Sequence, residues 1–508
     1  MRRRWACLLA LALAVPAAAQ DKNRDKDKDK KAAEQKPVAV TADELVKQAD
    51  ERTAAGDLDG AAELLRKAAA LPTAGGDVSL RLGRVLEAKG EMDTAIDAYK
   101  AAGDKLSGAA KGEALGRMAV LQRIRGMSEA PATAQAAAAA DPEGAWPAIA
   151  MAHLRASEGR GDEAVALAQK AAAAGGAAAS VALGLAQEAR GDIPAAEAAY
   201  RAALGDAQQK VAASVGLARV LRKTGRAAEA EPLIKAALDA APGYVNAYKE
   251  SARVKIALRR AGEAMGDAAT AAALAENDAE AKQLVQEVTV AKALEYLATN
   301  QPDLAIQDLT KLRDENPALP AARVGLAKAY VAKRQPDQAI TELQEAVKLE
   351  PANAEAQYQL GIVQHVMKRN AAAAVPALEK AVEAEAGNVE YRTALGAALV
   401  EAKQYDRAVA ELTKVAESPD YKKADAWLHL GVAHVAAKRY KDAVTALDKA
   451  LAIAPNTPAA EANLAWAYFG LKDAKNFTVH ANKAKALGHN EPTLLSYLKR
   501  IEGGEPIK

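Results

Sequence analysis

One short phrase recurs along the chain between two stretches in which hydrophobic residues repeat at helical spacing. It appears, among other places, as AAGDLDGAAELL, AKGEMDTAIDAY, ARGDIPAAEAAY and AKRYKDAVTAL. Apolar residues three or four positions apart give each flanking stretch one apolar face, whereas the Gly, Asp and Lys residues near the start of the phrase favour a turn. The pattern therefore predicts a series of helix-turn-helix units.

Alignment of these turns divides most of the chain into thirteen units, and such internal periodicity is typical of repeat architectures. The units start at Ala42, Gly76, Lys111, Ala145, Ala177, Val211, Val245, Gln286, Pro320, Ala354, Val389, Ala424 and Pro458. Most intervals are 34 residues, but the interval from Ala354 is 35 and the one from Val245 is 41. We expect the extra residues of the longest interval to add two turns to the first helix of the following unit.

Two positions of the unit are almost always small. The eighth residue is Gly or Ala in twelve of the thirteen units, with Met118 as the exception, and the twentieth is Ala in twelve, with Phe477 as the exception. Two antiparallel helices approach closely only where the contact residues lack long side chains. These positions therefore mark the predicted contact within each helix pair.

The period and the small positions resemble the tetratricopeptide repeat family over residues 42–491. The resemblance implies an all-α fold, a right-handed superhelical solenoid of about thirteen antiparallel helix pairs. Proline at position 32 ends the second helix of five units, because proline cannot continue a helix; these residues are Pro142, Pro242, Pro317, Pro351 and Pro455. Residues 492–508 are expected to form a C-terminal capping helix and a tail.

The first forty residues have a different character. Residues 1–19 contain three arginines, an apolar run from Trp5 to Val15 and then small residues, the pattern of a secretory signal peptide with cleavage expected after Ala19. The alternative is an uncleaved anchor, but the run is shorter than the ~20 residues of a spanning helix. The alternating charges of residues 20–41 predict a flexible linker. We therefore expect a periplasmic or secreted protein without stable membrane insertion after cleavage.

Composition and charge narrow the classes of function. Only 4% of the residues are aromatic and about a quarter are Ala, which favours closely stacked helices with almost no strand. The formal net charge of +2 argues against nucleic acid as the main partner. The one cysteine, Cys7, lies in the predicted signal peptide, and no metal-binding or phosphate-binding motif occurs. Lone histidines such as His153 and His365 are interpreted as surface or groove residues. We expect no enzyme activity, no metal and no cofactor.

The family resemblance also implies which residues line the concave face. In this family, positions 2, 5, 6, 9, 12 and 13 of the first helices point into it, and the C-terminal half of this chain has an apolar series there. The residues predicted to bind a partner are Val290, Leu294, Val324, Tyr358, Ile362, Leu428, Val432, Trp466 and Phe469. A concave apolar groove suits an extended peptide or an amphipathic helix. The alternative is that these residues pack against neighbouring helices, and in the case of Trp466 and Phe469 against the capping helix.

A second predicted site is basic. The units that start at Val211 and Val245 place in the groove Arg219, Arg222, Lys249 and Arg253, together with Lys223 and Glu250. A basic groove can hold an acidic peptide or a terminal carboxylate. The Lys and Asn set by which some family members clamp a C-terminal carboxylate is absent at matching positions. The alternative is a solvated cluster of charges.

The sequence thus predicts a non-catalytic scaffold in the bacterial cell envelope that binds other proteins through peptide or helical segments. Such a scaffold would serve an assembly, secretion or polysaccharide-export system, in which many weak contacts add along one surface. Two alternatives stay open: a factor that contacts polysaccharide, and an accessory subunit of an exported enzyme.

Overall fold

In the computed structural model, which describes residues 41–173, 176–275, 278–418 and 424–507, every regular element is a helix. The predicted signal peptide and all but the last residue of the predicted linker lie outside the described residues. The chain divides into two compact units, of which the first is described over residues 41–74 and the second begins at Gly75. The first unit contains α1 (Ala42–Ala54) and α2 (Leu58–Ala69).

The second unit contains twelve further helix pairs and one additional helix within its described residues. Its helices are α3 (Gly76–Lys89), α4 (Met92–Lys105), α5 (Gly108–Ile124), α6 (Ala130–Ala140), α7 (Ala145–Ser157), α8 (Gly161–Ala173), α9 (Ala177–Arg190), α10 (Ile193–Ala203), α11 (Lys210–Lys223), α12 (Ala227–Ala240), α13 (Val245–Ala257), α14 (Ala261–Leu274), α15 (Ala279–Ala298), α16 (Pro302–Glu315), α17 (Pro320–Ala332), α18 (Pro336–Leu349), α19 (Ala354–Ile362), α20 (Ala371–Ala384), α21 (Val389–Glu401), α22 (Tyr405–Ala416), α23 (Ala424–Ala436), α24 (Tyr440–Ile453), α25 (Pro458–Gly470), α26 (Ala474–Ala486) and α27 (Pro492–Glu502). We call the first helix of each pair the A helix and the second the B helix. The prediction of an all-α array of thirteen helix pairs is confirmed.

Small residues at position eight let the two helices of a pair touch. A Cβ atom added to Gly83 would lie 2.5 Å from the ring of Tyr99, and one added to Gly184 would lie 2.6 Å from the ring of Tyr200. Real Cβ atoms do not approach so closely, so the B helix can place a large side chain there only against a glycine. This contact explains the small residue that the sequence pattern singled out.

The 35-residue unit that starts at Ala354 accommodates its extra residue as a π-helical turn. Its A helix continues from α19 into a π-helical segment, Val363–Met367. A π turn holds one more residue than an α turn, so the register after it moves by one. Ala374 is accordingly the fully buried alanine of the pair, and Ala373, at the predicted position 20, is only half-buried.

Two other irregular units have equally local explanations. The unit after the 41-residue interval has a 20-residue A helix, α15, which starts at Ala279 and so confirms the two predicted extra turns. In the third unit, Ala119 rather than Met118 joins Ala134 of α6 in a core cluster. The exception at Met118 was therefore an error of one residue in the predicted register, because α5 is longer than most A helices.

Within the second unit, the described helices α5 to α14 curl until distant pairs touch. The side chain of Arg125, directly after α5, donates a hydrogen bond of 3.3 Å from Nη1 to the main-chain oxygen of Leu274 in α14. Ile124 packs against the hydrophobic cluster that includes Val215 and Val254. The A helices α5 to α13 therefore surround a confined space.

Candidate functional site

The predicted apolar series lies on the A helices α15, α17, α19, α23 and α25. Val324 is buried, with 7% of its surface exposed, and the other eight residues are half-buried. Val290, Tyr358 and Leu428 pack against core clusters. Tyr358 also stacks on Tyr391, with 4.6 Å between ring centroids. Packing thus accounts for part of this series, whereas partner binding stays a prediction.

Three members of the series occupy the ninth position of their units, namely Leu294, Ile362 and Val432, and all three are half-buried. Val290, Tyr358 and Leu428 precede them by four residues. Residues four apart lie on one face of a helix. The two positions therefore form a double row, which we call the apolar row, repeated on α15, α19 and α23.

Trp466 and Phe469 at the C-terminal end are engaged with the additional helix α27. The ring of Tyr497 lies 5.8 Å from that of Trp466 and 4.9 Å from that of Phe469, between centroids and in edge-on geometry. The indole nitrogen of Trp466 donates a hydrogen bond to Glu491. These contacts are those of the packing alternative.

The predicted basic residues are paired with carboxylates from neighbouring units. Arg219 donates from Nε and Nη2 to Glu188 at 3.0 and 2.5 Å, and from Nη2 to the hydroxyl of Tyr200 at 3.0 Å. Lys223 lies 3.2 Å from the same carboxylate. Burial alone would raise the pKa of Glu188, but the hydrogen bonds and charges of Arg219 and its neighbours lower it below the ordinary value. Glu188 is therefore an ionised anchor for two cations.

The other predicted cations lie further along the same face. Nε of Arg222 is 2.6 Å from Glu250, and Nζ of Lys249 is 2.8 Å from Asp278 and 2.6 Å from Glu280. Arg253 binds the same Glu280 at 3.0 Å. Lys249 and Glu250 are buried, at 5% and 2% exposure, so the group is a packed ion-pair network and the solvated-cluster alternative is wrong.

Two connected compartments adjoin this network on the inner side of the A helices. The larger, of about 500 Å³, is lined by its charged groups, including Arg253, Asp278 and Glu280; we call it the polar compartment. The smaller, of about 240 Å³, is lined mainly by apolar side chains; we call it the apolar compartment. Both are lined by Arg123 and Arg219, and together they form what we call the inner chamber.

Arg123, which the sequence interpretation missed, lacks a partner in this chamber. Its Nε is buried and accepts no hydrogen-bond partner among the described residues. Burial, and next the charge of Arg219, lower the pKa of Arg123. A sequence signal was hard to see because Arg123 follows the register error in α5. The guanidinium is an unneutralised charge at the junction of the two compartments.

His153 lines the apolar compartment on α7 and is buried, at 8% exposure, which corrects its interpretation as a surface or groove residue. Its Nδ1 has no hydrogen-bond partner in the described part of the chain. Burial, followed by the charges of Arg123 and Arg219, lowers the pKa of His153 to about 3. The imidazole is therefore neutral at pH 7. His365, within the π-helical segment, is likewise buried.

A two-helix unit, repeated with one contact pattern and with polar and apolar groups along its A helices, defines a helical-repeat protein. Models of the tetratricopeptide repeat match residues 46–110, 181–245, 296–362 and 393–458, which together make up just over half of the chain. The protein belongs to the tetratricopeptide repeat family. No curated protein matches it in a sequence search.

Solved structures with a similar fold include three that illustrate the range of coverage. The APC/C hetero-tetramer Cut9-Hcn1 is 16% identical, with 90% of this chain and 96% of that chain covered and a TM-score of 0.42. YrrB, described as a TPR protein with an unusual peptide-binding site, is 21% identical over 38% of this chain and 97% of its own, with a TM-score of 0.34. PilW, a type IV pilus biogenesis factor, is 16% identical over 42% and 98%, with a TM-score of 0.37.

Among the residues that the structure describes, no helix combines the length and hydropathy needed to cross a membrane.

Proposed function

We propose that the protein is a non-catalytic scaffold that binds peptide or helical segments of other proteins along the A helices of its C-terminal half. Its place would be the bacterial cell envelope, in an assembly, secretion or polysaccharide-export system. The apolar row carries this proposal. Membership of the tetratricopeptide repeat family supports a role in protein binding.

The spacing of the row suits a long partner. Leu294, Ile362 and Val432 lie on three A helices at the same register position, so a partner that crosses the helices meets an apolar contact again after one or more units. Weak contacts repeated along one tethered partner add through effective concentration. An extended peptide or an amphipathic helix has the matching form.

Replacement of the row should abolish partner capture. For the variant Leu294→Ala, Ile362→Ala and Val432→Ala we expect at least a tenfold loss of the proteins crosslinked to the chain in cells, since buried apolar contacts at an interface are worth about 1 kcal/mol or more each. Crosslinking followed by mass spectrometry measures this. Circular dichroism checks that the variant remains helical.

The chain offers a matched control in three exposed residues of B helices, Leu304, Leu349 and Ile453. Their combined replacement by Ala removes similar apolar groups away from the row, and the crosslinked proteins should be retained. Equal capture by the folded row variant and the control would contradict the proposal.

Export is a separate part of the proposal and rests on the N-terminal sequence. We expect the chain in the periplasmic or secreted fraction with Gln20 as its first residue, because cleavage after Ala19 follows from the signal-peptide pattern. Cell fractionation and N-terminal sequencing measure both, with a chain that lacks residues 2–19 as the control. Full-length protein in the cytoplasm would refute export but leave partner binding intact.

A further inference from the structure

The inner chamber contains one cation more than its carboxylates neutralise. Arg219 is held by Glu188, Lys249 by Asp278 and Glu280, and Arg253 by Glu280. Arg123 forms no ion pair with any described residue, and its Nε lacks a hydrogen bond. A buried guanidinium is costly unless an anion or hydrogen-bond acceptors satisfy it. The junction of the two compartments therefore favours a bound anion.

A second unpartnered group lies in the same chamber. Nδ1 of His153 is buried without a hydrogen bond, and both His153 and Arg123 line the apolar compartment. A neutral imidazole protonated at Nδ1 donates one hydrogen bond. A carboxylate accepts from a guanidinium and from such an imidazole at once. Two unsatisfied groups thus have one common acceptor.

The rest of the apolar compartment requires an apolar body. Its walls include Trp146, Ile149, Val181, Leu185, Val211 and Val215. A peptide chain there would bring main-chain N–H and C=O groups, each of which needs a hydrogen-bond partner when buried. An alkyl chain needs none, and it gains free energy in proportion to the apolar surface that it buries.

From these features we infer that the inner chamber binds a small amphipathic carboxylate of the medium-chain fatty acid class. The carboxylate contacts Arg123 and His153, and the alkyl chain occupies the apolar compartment. The inference is independent of the proposed scaffold function, since the apolar row begins at Val290, beyond the helices that line the apolar compartment.

Isothermal titration of the purified full chain with decanoate, below its micelle concentration, tests the inference. We expect one saturable site, and at least tenfold weaker binding of 1-decanol, which lacks the charge, and of acetate, which lacks the chain. Arg123→Gln should weaken decanoate binding about tenfold or more, because a charge-assisted hydrogen bond is lost. Arg160→Gln, at a solvent-exposed arginine that precedes α8, is the matched control and should bind as the wild type does.

A second variant separates binding from folding. Ala212, half-buried on α11, lines the apolar compartment. Ala212→Phe should fill that space and prevent decanoate binding while Arg123 is intact. Arg123→Met should raise the midpoint of thermal unfolding without decanoate, because an unpaired buried charge is removed.

Three results would overturn the inference. These are absence of saturable decanoate binding to the wild type, equal affinity for decanoate and 1-decanol, and decanoate binding unchanged in folded Arg123→Gln and Ala212→Phe. A peptide ending in leucine that binds more tightly than decanoate through Arg123 would also overturn it, in favour of a peptide carboxylate. Loss of partner crosslinking in the apolar-row variant would not affect any of these results.

Discussion

Tyr200→Ala should lower the free energy of unfolding of the α9 to α11 segment by about 3 to 5 kcal/mol, the range for truncation of a large buried aromatic side chain. Only 1% of Tyr200 is exposed. Its ring lies against Gly184 of its own pair and Gly216 of the next, and glycines have no side chain that could fill the cavity. Its hydroxyl also binds Glu188 and Arg219. Native-state hydrogen exchange of the segment measures the loss.

The cause can be separated with nearby variants. Tyr200→Phe keeps the ring and should cost about 1 to 2 kcal/mol, the effect of the lost hydrogen bonds. Gly216→Ala would place a Cβ atom in the ring of Tyr200, whereas Gly205→Ala would meet nothing within 4 Å. We therefore expect destabilisation from the first glycine change and none from the second. If Tyr200→Ala and Tyr200→Phe cost the same, the packing explanation is wrong.

Acidification from pH 7.5 to pH 4.5 should remove about 2 to 3 kcal/mol of stability through His153 alone. The fold lowers the pKa of this histidine from 6.5 to about 3. Between these values the unfolded chain binds a proton that the folded chain excludes, so stability is full above about pH 6.5 and declines as pH falls toward 3. Urea unfolding at a series of pH values, followed by circular dichroism, measures the change.

His153→Leu removes the titrating group and should flatten the pH dependence by this amount. The charges that face the imidazole, those of Arg123 and Arg219, remain in the variant. His489→Leu, in the turn after α26, is the matched control and should leave the pH dependence as in the wild type. An unchanged acid profile for His153→Leu would show that the imidazole is accessible to protons in the folded chain.

The repeat and its close helix contact could be predicted from the sequence because they depend on local spacing. The small residues at positions eight and twenty recur often enough to set the register, and the extra turns of α15 follow from an insertion of seven residues, two helical turns. The error at Met118 has the opposite cause. A shift of one residue in a helix is smaller than the variation in turn length, so the pattern alone could not locate it.

The candidate site was predicted less completely. The cations at positions 219, 222, 249 and 253 were identified, but the carboxylates that neutralise them come mostly from neighbouring units. Arg219 meets Glu188 at a distance of 31 residues, and Lys249 meets Asp278 at 29. Such pairs depend on how one unit packs on the next. The free charge was therefore placed on the wrong residues, and Arg123 was missed.

By itself, the sequence determined the class of secondary structure, the number of helix pairs and the contact within each pair, because all of these are set by residues fewer than 34 positions apart. Only the tertiary structure decided which charges are paired, where the π-helical turn absorbs an inserted residue, and that α5 meets α14. The physical reason is that the curl of the second unit sums small rotations between successive pairs. It is this curl that brings Arg123, His153 and Arg219 into one enclosed chamber.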